Sequence, residues 1–377
     1  MQIYFDNAAT SHPKPASVFH AVKKALTETN ANPGRSGHRA AIEAARIVLD
    51  CRERLAVLLG ADDPMCIVHC FNCTDALNLA IKGSLHLGDH VVATCFEHNS
   101  VLRVLHGLAV RGRVALTLVP PRPDGFVDPE DVRNALTPST ALVVCTHASN
   151  VTGAIQPVAA IGQVARAAGV RYLIDGAQAL GGMPVDVNAL GCDLYAFPGH
   201  KSLLGPQGTG GLYIAPGIRL RPLREGGTGT DSHSLLQPET LPERYESGTL
   251  NLPGIAGLSA GCEYVAPRLS QIMMHERELT QALYDGLAAM DSITLYSPAQ
   301  EAGRAGIVCF NVGDLPSAQV ADALARRDIA VRGGLHCAPE AHRFLGTLQR
   351  GAVRASIGHA NTFEEVEQFI KAVRALL

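Results

Sequence analysis

The chain has 377 residues, of which 47% are hydrophobic and 18% charged, and its 32 basic and 35 acidic side chains give a net charge of −3. This composition excludes a disordered or fibrous protein, and the near balance of charge provides no basic face for nucleic acid. The length favours two domains, or one large domain with an appendage. No apolar run reaches the ~18 residues that span a bilayer, and the N-terminal residues do not predict a secretory signal.

Ten cysteines are scattered along the chain, and most lie singly in apolar runs, where a thiol acts as a small hydrophobic group. A chain of this length needs no disulfide scaffold, so we expect a reducing cytoplasm. Cys66, Cys70 and Cys73 have the spacing of some iron–sulfur ligands. However, the first two fall in a predicted strand, where they would stand ~13 Å apart. We therefore expect no metal site.

Between about residues 16 and 245, short apolar runs alternate with longer amphipathic stretches. The predicted helices are 16–29, 40–59, 76–85, 99–109 and 158–168. The predicted strands, all expected to be buried and parallel, are 66–70, 90–94, 115–119, 141–146, 172–175, 194–197 and 210–214. This alternation predicts an α/β layer with a mostly parallel sheet, which binds ligands at the carboxyl ends of its strands.

A stretch rich in Gly and Pro, residues 224–257, ends this alternation. The elements predicted after it are helices at 259–289, 317–327 and 362–376 and strands at 293–295, 306–311, 330–332 and 352–356. They indicate a smaller α+β domain. We therefore predict a large domain at 16–250 and a small domain made of 1–15 and 251–377.

Two polar residues follow predicted strands. Asp175 ends one strand and precedes Gly176, which would point its carboxylate into the ligand crevice, although such an Asp taken alone favours a helix N-cap. Lys201 lies between the strand that ends at Phe197 and a Gly-rich return. Most lysines are solvated, but a lysine held in a crevice has a lowered pKa and can form a Schiff base.

Together, Asp175 and Lys201 fit pyridoxal phosphate (PLP), which needs a lysine for its aldehyde and a carboxylate for its ring nitrogen. The strand–helix junction at 72–76 offers backbone N–H groups and the hydroxyl of Thr74 for a phosphate. His98 ends the next strand and could lie flat on the ring. Each of these residues alone is weak evidence for PLP, but their order and spacing along the sequence strengthen the prediction.

The sequence resembles the class V aminotransferases, a superfamily of fold-type I PLP enzymes, and within it the cysteine desulfurase and selenocysteine lyase branch. The matching blocks are residues 4–10 (YFDNAAT), 97–98 (EH), 149–153 (SNVTG), 175–178 (DGAQ), 199–201 (GHK), 246–251 (ESGTLN) and 354–357 (RASI). The resemblance implies an α/β PLP-dependent transferase fold. Its large PLP-binding domain has a mostly parallel seven-stranded sheet flanked by helices, and its smaller C-terminal domain is α+β.

The resemblance also implies the contacts with the ring of the cofactor. Lys201 would be the Schiff-base lysine, Asp175 the partner of the ring nitrogen, and His98 the residue that stacks on the ring. Gln178 and Asn150 would lie near the ring hydroxyl and the aldehyde.

The phosphate group would be held, by the same resemblance, by Thr74, His200 and the backbone at Cys73. Thr249 matches the threonine that reaches the phosphate of the neighbouring subunit, which implies a homodimer. Pro198 departs from the family pattern, which commonly has Ser or Thr at this position, and proline can donate no hydrogen bond.

Cys337 bears on the reaction, because in desulfurases of this kind a cysteine in such a segment attacks the substrate sulfur. Arg332 and His336 are close to it in sequence, and a nearby cation lowers a thiol pKa. The alternative is an ordinary loop cysteine. Arg354 matches the arginine that binds the substrate carboxylate, a task that suits a planar guanidinium. The residues that would contact the substrate are Arg354, Asn150, Arg332, Asn7 and Ala8.

These motifs predict a PLP-dependent cysteine desulfurase that converts L-cysteine to L-alanine, with catalytic residues Lys201, Cys337 and His98 and a persulfide on Cys337. A selenocysteine lyase acting on L-selenocysteine is one alternative. A β-lyase or an aminotransferase of the same superfamily is another and would not need Cys337. An inactive homologue that serves as a binding protein is disfavoured by the intact Lys201 and Asp175. A sulfur-acceptor protein is a candidate partner, whereas nucleic acid and membrane are not expected.

Overall fold

The computed structural model describes residues 2–34 and 37–377, and Met1, at the start of the predicted 1–15 segment, lies outside them. The strands are β1 (Ile3–Tyr4), β2 (Ile67–Cys70), β3 (Asp89–Thr94), β4 (Val114–Val119), β5 (Thr140–Thr146), β6 (Arg171–Asp175), β7 (Leu194–Pro198), β8 (Gly210–Ile214), β9 (Ile293–Leu295), β10 (Ile307–Val312), β11 (Ile329–Ala330), β12 (Arg332–Gly334) and β13 (Ala352–Ser356). The helices are α1 (Ala16–Thr27), α2 (Arg39–Leu59), α3 (Cys73–Ser84), α4 (Asn99–Val110), α5 (Pro129–Ala135), α6 (Val158–Ala167), α7 (Val187–Leu190), α8 (Leu252–Val265), α9 (Leu269–Ala288), α10 (Ser317–Ala325), α11 (Pro339–Phe344) and α12 (Phe363–Arg374).

Seven strands form the central sheet in the order β2-β8-β7-β6-β5-β3-β4. The pairs from β7 to β4 are parallel, whereas β8 runs antiparallel to both of its neighbours. The mostly parallel sheet that the sequence predicts is thus confirmed. The expectation that 210–214 is parallel is wrong, because the short return from β7 holds no crossover helix of the kind that joins adjacent parallel strands.

Two hydrophobic cores cover the two faces of this sheet. On one face α2, α6 and α8 pack against the strands through buried residues that include Leu55, Ile161 and Leu258. On the other face α3 and α4 pack through residues that include Leu77 and Leu105. With both faces covered by helices, the carboxyl ends of the parallel strands are left for loops that carry functional groups.

Four short strands form a second, antiparallel sheet in the order β12-β13-β10-β9. Helices α9, α10 and α12 cover it through a separate core that includes Leu283, Leu324 and Phe369. β1 joins this part of the molecule by pairing with β11. The side chains of α8 belong to the core of the large sheet, and the predicted division at residue 250 stays a prediction. Among the described helices, none is both long and apolar enough to cross a membrane.

Two local expectations are wrong. The helix predicted at 259–289 is two helices separated by the turn Ala266–Arg268, because Pro267 lacks an N–H and clashes with the preceding turn. The strand predicted at 330–332 is shared between β11 and β12, which pair in different sheets. The alternative role of Asp175 as a helix N-cap is excluded, since turns follow it and α7 begins only at Val187.

Candidate active site

Asp175 and Lys201 lie at the carboxyl edge of the large sheet, where Asp175 ends β6 and Lys201 follows β7. Asp175 is 2% exposed, and its Oδ1 accepts a hydrogen bond from the N–H of Ala177 at 3.0 Å. Burial raises the pKa of Asp175, and the positive charge of Lys201 partly opposes this shift. Burial also lowers the pKa of Lys201. The structure therefore brings a buried carboxylate and a partly desolvated amine together.

The start of α3 lies beside this pair. α3 begins at Cys73 because the Asn72 side chain caps its first turn. The Sγ of Cys73 is 3.6 Å from Oδ1 of Asp175, and Oγ1 of Thr74 is 2.7 Å from Oγ of Ser100. The first turn of a helix carries N–H groups without partners inside the helix and favours anions, so this end of α3 suits a phosphate.

His98 precedes α4 and caps it. Its Nδ1 accepts a hydrogen bond from the N–H of Ser100 at 3.0 Å, which places the proton of the neutral ring on Nε2. Burial and the charges of Lys201 and Arg332 lower the pKa of His98 to about 4. The imidazole is therefore uncharged near neutral pH. An uncharged ring is compatible with the stacking on the cofactor ring that the resemblance implies for His98.

Arg354 lies on β13 and is only 1% exposed. Its Nη2 donates to Oδ1 of Asp6 at 2.9 Å, and its Nη1 donates to the carbonyl of Asn150 at 2.9 Å. Its Nε is also buried and has no hydrogen-bond partner among the described residues. A buried donor without a partner is costly, and a substrate carboxylate would satisfy this one.

Cys337 lies between β12 and α11 and is half-buried. Its Sγ is 3.7 Å from Nη2 of Arg332. Its carbonyl accepts a hydrogen bond from the N–H of Asn99 at 2.7 Å, and the carbonyl of His336 accepts one from Nδ2 of Asn150 at 2.7 Å. These bonds tie the cysteine segment to the loops that follow β3 and β5, next to His98.

Hydrogen bonds between distant segments of the chain are the main contacts of Asn7, Ala8 and Gln178. Nε2 of Gln178 donates to the carbonyl of Ala8 at 3.0 Å, and the N–H of Ala8 donates to Oγ of Ser356 at 2.9 Å. Nδ2 of Asn7 donates to the carbonyl of Ser356 and to Oδ1 of Asn361, each at 3.1 Å. Contacts of these residues with substrate or cofactor stay predictions.

The remaining predicted residues differ in their surroundings. Nδ1 of His200 is buried and lacks a hydrogen-bond partner in the described part of the chain, and burial lowers the pKa of this ring to about 4. Pro198 is buried at the end of β7, where it pairs with Gly210. Thr249 is exposed and lines a separate cleft with Phe71.

The N-terminal segment supplies contacts of the site that the list of predicted site residues does not include. Nζ of Lys14 donates to the carbonyl of His200 at 2.6 Å, and Oγ of Ser11 donates to the carbonyl of Lys201 at 2.7 Å. Asp6, the partner of the β13 arginine, belongs to the same segment. A signal for two of them is present, because Asp6 and Lys14 are the sole charged residues of the 1–15 segment.

These residues fit PLP. The amine of Lys201 and the carboxylate of Asp175 match the aldehyde and the ring nitrogen. The α3 N-terminus and His200 match the phosphate, and Nδ1 of His200, which lacks a partner among the described residues, is the kind of buried atom that a bound group satisfies.

The family model of Aminotransferase class-V matches residues 3–369. The chain belongs to the class V aminotransferase family. Enzymes of this family depend on PLP, which is the cofactor of this chain. A "probable cysteine desulfurase" from Methanothermobacter thermautotrophicus is 36% identical over 376 residues, which are 97% of this chain and 92% of the relative. A cysteine desulfurase from Klebsiella pneumoniae is 34% identical over 385 residues, which are 99% of this chain and 93% of the relative.

Solved structures agree with the family. The apo structure of a cysteine desulfurase from Thermococcus onnurineus has a TM-score of 0.94 and 34% identity, covering 100% of this chain and 94% of that chain. The S-sulfonic acid form of the cysteine desulfurase CsdA from Escherichia coli has a TM-score of 0.90 and 29% identity, with the same coverage. The fold-type I α/β architecture expected from the sequence is thus confirmed.

Proposed function

We propose that this protein is a PLP-dependent cysteine desulfurase that converts L-cysteine to L-alanine and holds the sulfur as a persulfide on Cys337. One observation carries the proposal: the thiol of Cys337 lies 3.7 Å from the guanidinium of Arg332, in the site that holds the buried pair of Lys201 and Asp175. The names of the relatives and of the solved neighbours support the same reaction. PLP, when bound, withdraws electrons from the Cα of the amino acid.

Lys201 and Asp175 anchor the cofactor at its aldehyde and its ring nitrogen. Because its pKa is lowered, Lys201 has a larger neutral fraction and can take the proton from the substrate Cα. The carboxylate of Asp175 favours a proton on the ring nitrogen. His98 packs on the ring face without adding charge, since Ser100 fixes its neutral tautomer.

Thr74, the backbone at Cys73 and His200 hold the phosphate. We include Thr249 of a second subunit, because its exposed position suits reach across an interface, and we infer a homodimer on that basis. The absence of a donor at Pro198 leaves more of the phosphate binding to His200 and the α3 N-terminus.

Arg354 binds the carboxylate of the substrate through the guanidinium edge that includes Nε, and Asp6 and Asn150 hold this guanidinium in place. With the carboxylate fixed, the substrate side chain points toward the cysteine segment. The Cys337 thiolate then forms a bond to the substrate sulfur. The substrate C–S bond breaks with its electron pair remaining on carbon, the carbon takes up a proton, and alanine leaves.

The next acceptor of the sulfur is a further part of this proposal. A groove of about 400 Å³ opens at Cys337 and is bordered by Arg103 and His106 of α4. A thiol-bearing acceptor protein could approach the persulfide through this groove. We place the enzyme in the cytoplasm, because all ten cysteines are free and a reducing compartment keeps them so.

A product assay tests the function. The cofactor-loaded enzyme is incubated with L-cysteine and a reductant, and alanine, pyruvate and sulfide are measured together. We expect equal amounts of alanine and sulfide without pyruvate, and we expect Cys337→Ser to abolish both products, whereas the control Cys95→Ser retains them. Pyruvate in place of alanine would identify a β-lyase, and full activity of Cys337→Ser would refute the assigned nucleophile. Turnover of L-selenocysteine alone would identify a selenocysteine lyase.

A further inference from the structure

A buried chain of hydrogen bonds runs directly behind Cys337. His336 and His342 are 3% and 0% exposed, and their ring planes are inclined by 24° with centroids 5.4 Å apart. Nδ1 of His336 lies 3.2 Å from Nε2 of His342, and Nδ1 of His342 lies 2.8 Å from Oγ1 of Thr347. At the other end, Nε2 of His336 lies 3.2 Å from the carbonyl oxygen of Arg332.

One arrangement of protons satisfies every link of this chain. The carbonyl of Arg332 can only accept, so Nε2 of His336 carries the proton of that ring. Burial lowers the pKa of His336 to about 3 and that of His342 to about 4, so both rings are neutral. Nδ1 of His336 therefore accepts from Nε2 of His342, and Nδ1 of His342 accepts from the hydroxyl of Thr347.

The backbone at His336 and Cys337, next to this chain of hydrogen bonds, is strained. His336 and Cys337 have φ angles of 50° and 57°, in the left-handed region that residues with a side chain rarely occupy. Such a conformation persists only where surrounding contacts hold it. On one side Asn99 and Asn150 hold the two carbonyls. On the other side the histidine chain holds the His336 ring, with His342 as its central link.

We propose that His342 is a positioning residue for the Cys337 nucleophile. By donating to Nδ1 of His336, it holds the left-handed turn that presents the thiol of Cys337 to the guanidinium of Arg332. His342 acts through His336 and takes no part in proton transfer. The proposal rests on the proposed function of Cys337.

Two substitutions separate the hydrogen bonds of His342 from its volume. His342→Gln keeps an N–H near the position of Nε2, whereas His342→Leu fills similar space without a donor or acceptor. The alkylation rate of Cys337 by iodoacetamide is measured against pH in the holoenzyme by peptide mass spectrometry, with Cys95 as the internal reference.

We expect His342→Leu to change the rate at Cys337 about fivefold or more and to shift its pH profile, while Cys95 is unaffected and His342→Gln stays close to the wild type. In the desulfurase assay, we expect His342→Leu to lower kcat about tenfold with little change in KM, because the carboxylate site at Arg354 is intact.

An unchanged alkylation profile and kcat in folded His342→Leu would overturn the proposal. If this variant fails to fold, Thr347→Val removes only the last donor of the chain, and it should shift the profile in the same direction by a smaller amount; no shift would also overturn the proposal. Alkylation does not depend on sulfur transfer. A wild-type enzyme that forms no alanine while His342→Leu still alters Cys337 alkylation would refute the proposed function alone.

Discussion

Among single residues, Lys14 is a charged donor to the peptide group that precedes Lys201. The carbonyl of His200 accepts hydrogen bonds from Nζ of Lys14 at 2.6 Å and from Oγ1 of Thr10 at 3.2 Å. Burial lowers the pKa of Lys14 to about 8. The contact therefore costs free energy, because the ammonium group is partly removed from water. The peptide group that joins His200 to Lys201 is thereby held by a residue 186 positions earlier in the sequence.

Lys14→Met removes this donor and should weaken PLP binding about tenfold, the effect of losing one hydrogen bond from a charged group. Lys14→Arg keeps a charged donor and should restore most of the affinity. Absorbance titration of the apoenzyme with PLP measures both. Equal affinity of the two variants and the wild type for PLP would show that the hydrogen bond from Lys14 to the carbonyl of His200 does not contribute to cofactor binding.

Arg354→Lys tests the carboxylate site. A lysine cannot offer two parallel donors, so KM for L-cysteine should rise about 100-fold with a smaller effect on kcat. Steady-state kinetics measure the split between the two constants. The control is Arg343→Lys at an exposed position of α11, where Arg343 forms a surface ion pair with Glu340 and both constants should stay unchanged. A lowered kcat at constant KM would instead assign Arg354 to the chemical step.

At the scale of elements, α8 supports the loop that carries Lys201. A Cβ on Gly261 would lie 2.3 Å from the carbonyl oxygen of Leu203, and one on Gly257 would lie 2.9 Å from the ring of Pro206. There is thus no room for side chains where this helix passes the loop. Gly257 and Gly261 therefore allow α8 to pack directly against the loop that follows Lys201.

Gly261→Ala should therefore push this loop away, with a loss of about 2 kcal/mol in the free energy of unfolding and reduced PLP occupancy. The matched control is Gly107→Ala in α4, where the new methyl group would meet only the flexible end of Arg111 at 3.4 Å. This control should be neutral or stabilise by up to about 1 kcal/mol through helix propensity. Urea unfolding compares the two, and equal stabilities would contradict the close packing at α8.

The sequence predicts elements well where their patterns are long or strongly apolar. The strands of the large sheet are recovered because buried strands are continuous apolar runs. The short helices α5, α7 and α11 are missed, since four to seven residues carry too little periodicity. In the site, motifs single out Lys201 and Cys337. Asp6 lies in a matching block, but its pairing with a residue 348 positions later depends on the tertiary fold. The same holds for the histidine chain behind Cys337, and neither contact can be read from a local pattern.

At the scale of the whole molecule, a small cavity of about 70 Å³ lies between the part built on the seven-stranded sheet and the part built on the four-stranded sheet. Gln178 and Ser202 line it from one side, and Gly306 and Ser356 from the other. Glu276 of α9 faces this cavity, and its carboxyl group has no hydrogen-bond partner among the described residues. Burial raises the pKa of Glu276 from 4.5 to about 8.

This shift makes stability depend on pH. Between pH 4.5 and about 8, the unfolded chain loses the proton of Glu276 whereas the folded chain keeps it, so stability falls as pH rises and the loss is complete above the folded-state pKa. Glu276→Gln should reduce the fall in the free energy of unfolding between acidic and alkaline pH by about 1 kcal/mol. This is less than the free energy that corresponds to the full pKa shift, because the side chain is only half-buried. Urea unfolding at acidic and alkaline pH measures it. Glu278→Gln, exposed on the same helix, should behave like the wild type, and an identical slope in Glu276→Gln would refute the assignment.

The pairing of β1 with β11 and of Asp6 with Arg354 has a consequence for biosynthesis. On the ribosome, the residues of the large sheet emerge before β13 and can begin to pack while translation continues. The partner of Asp6 is 348 residues later in the sequence, so the proposed site for the substrate carboxylate forms only after β13 has been made. We therefore expect the nascent chain to form the proposed cofactor site on the large sheet early, and to become able to bind an amino acid only at the end of its synthesis.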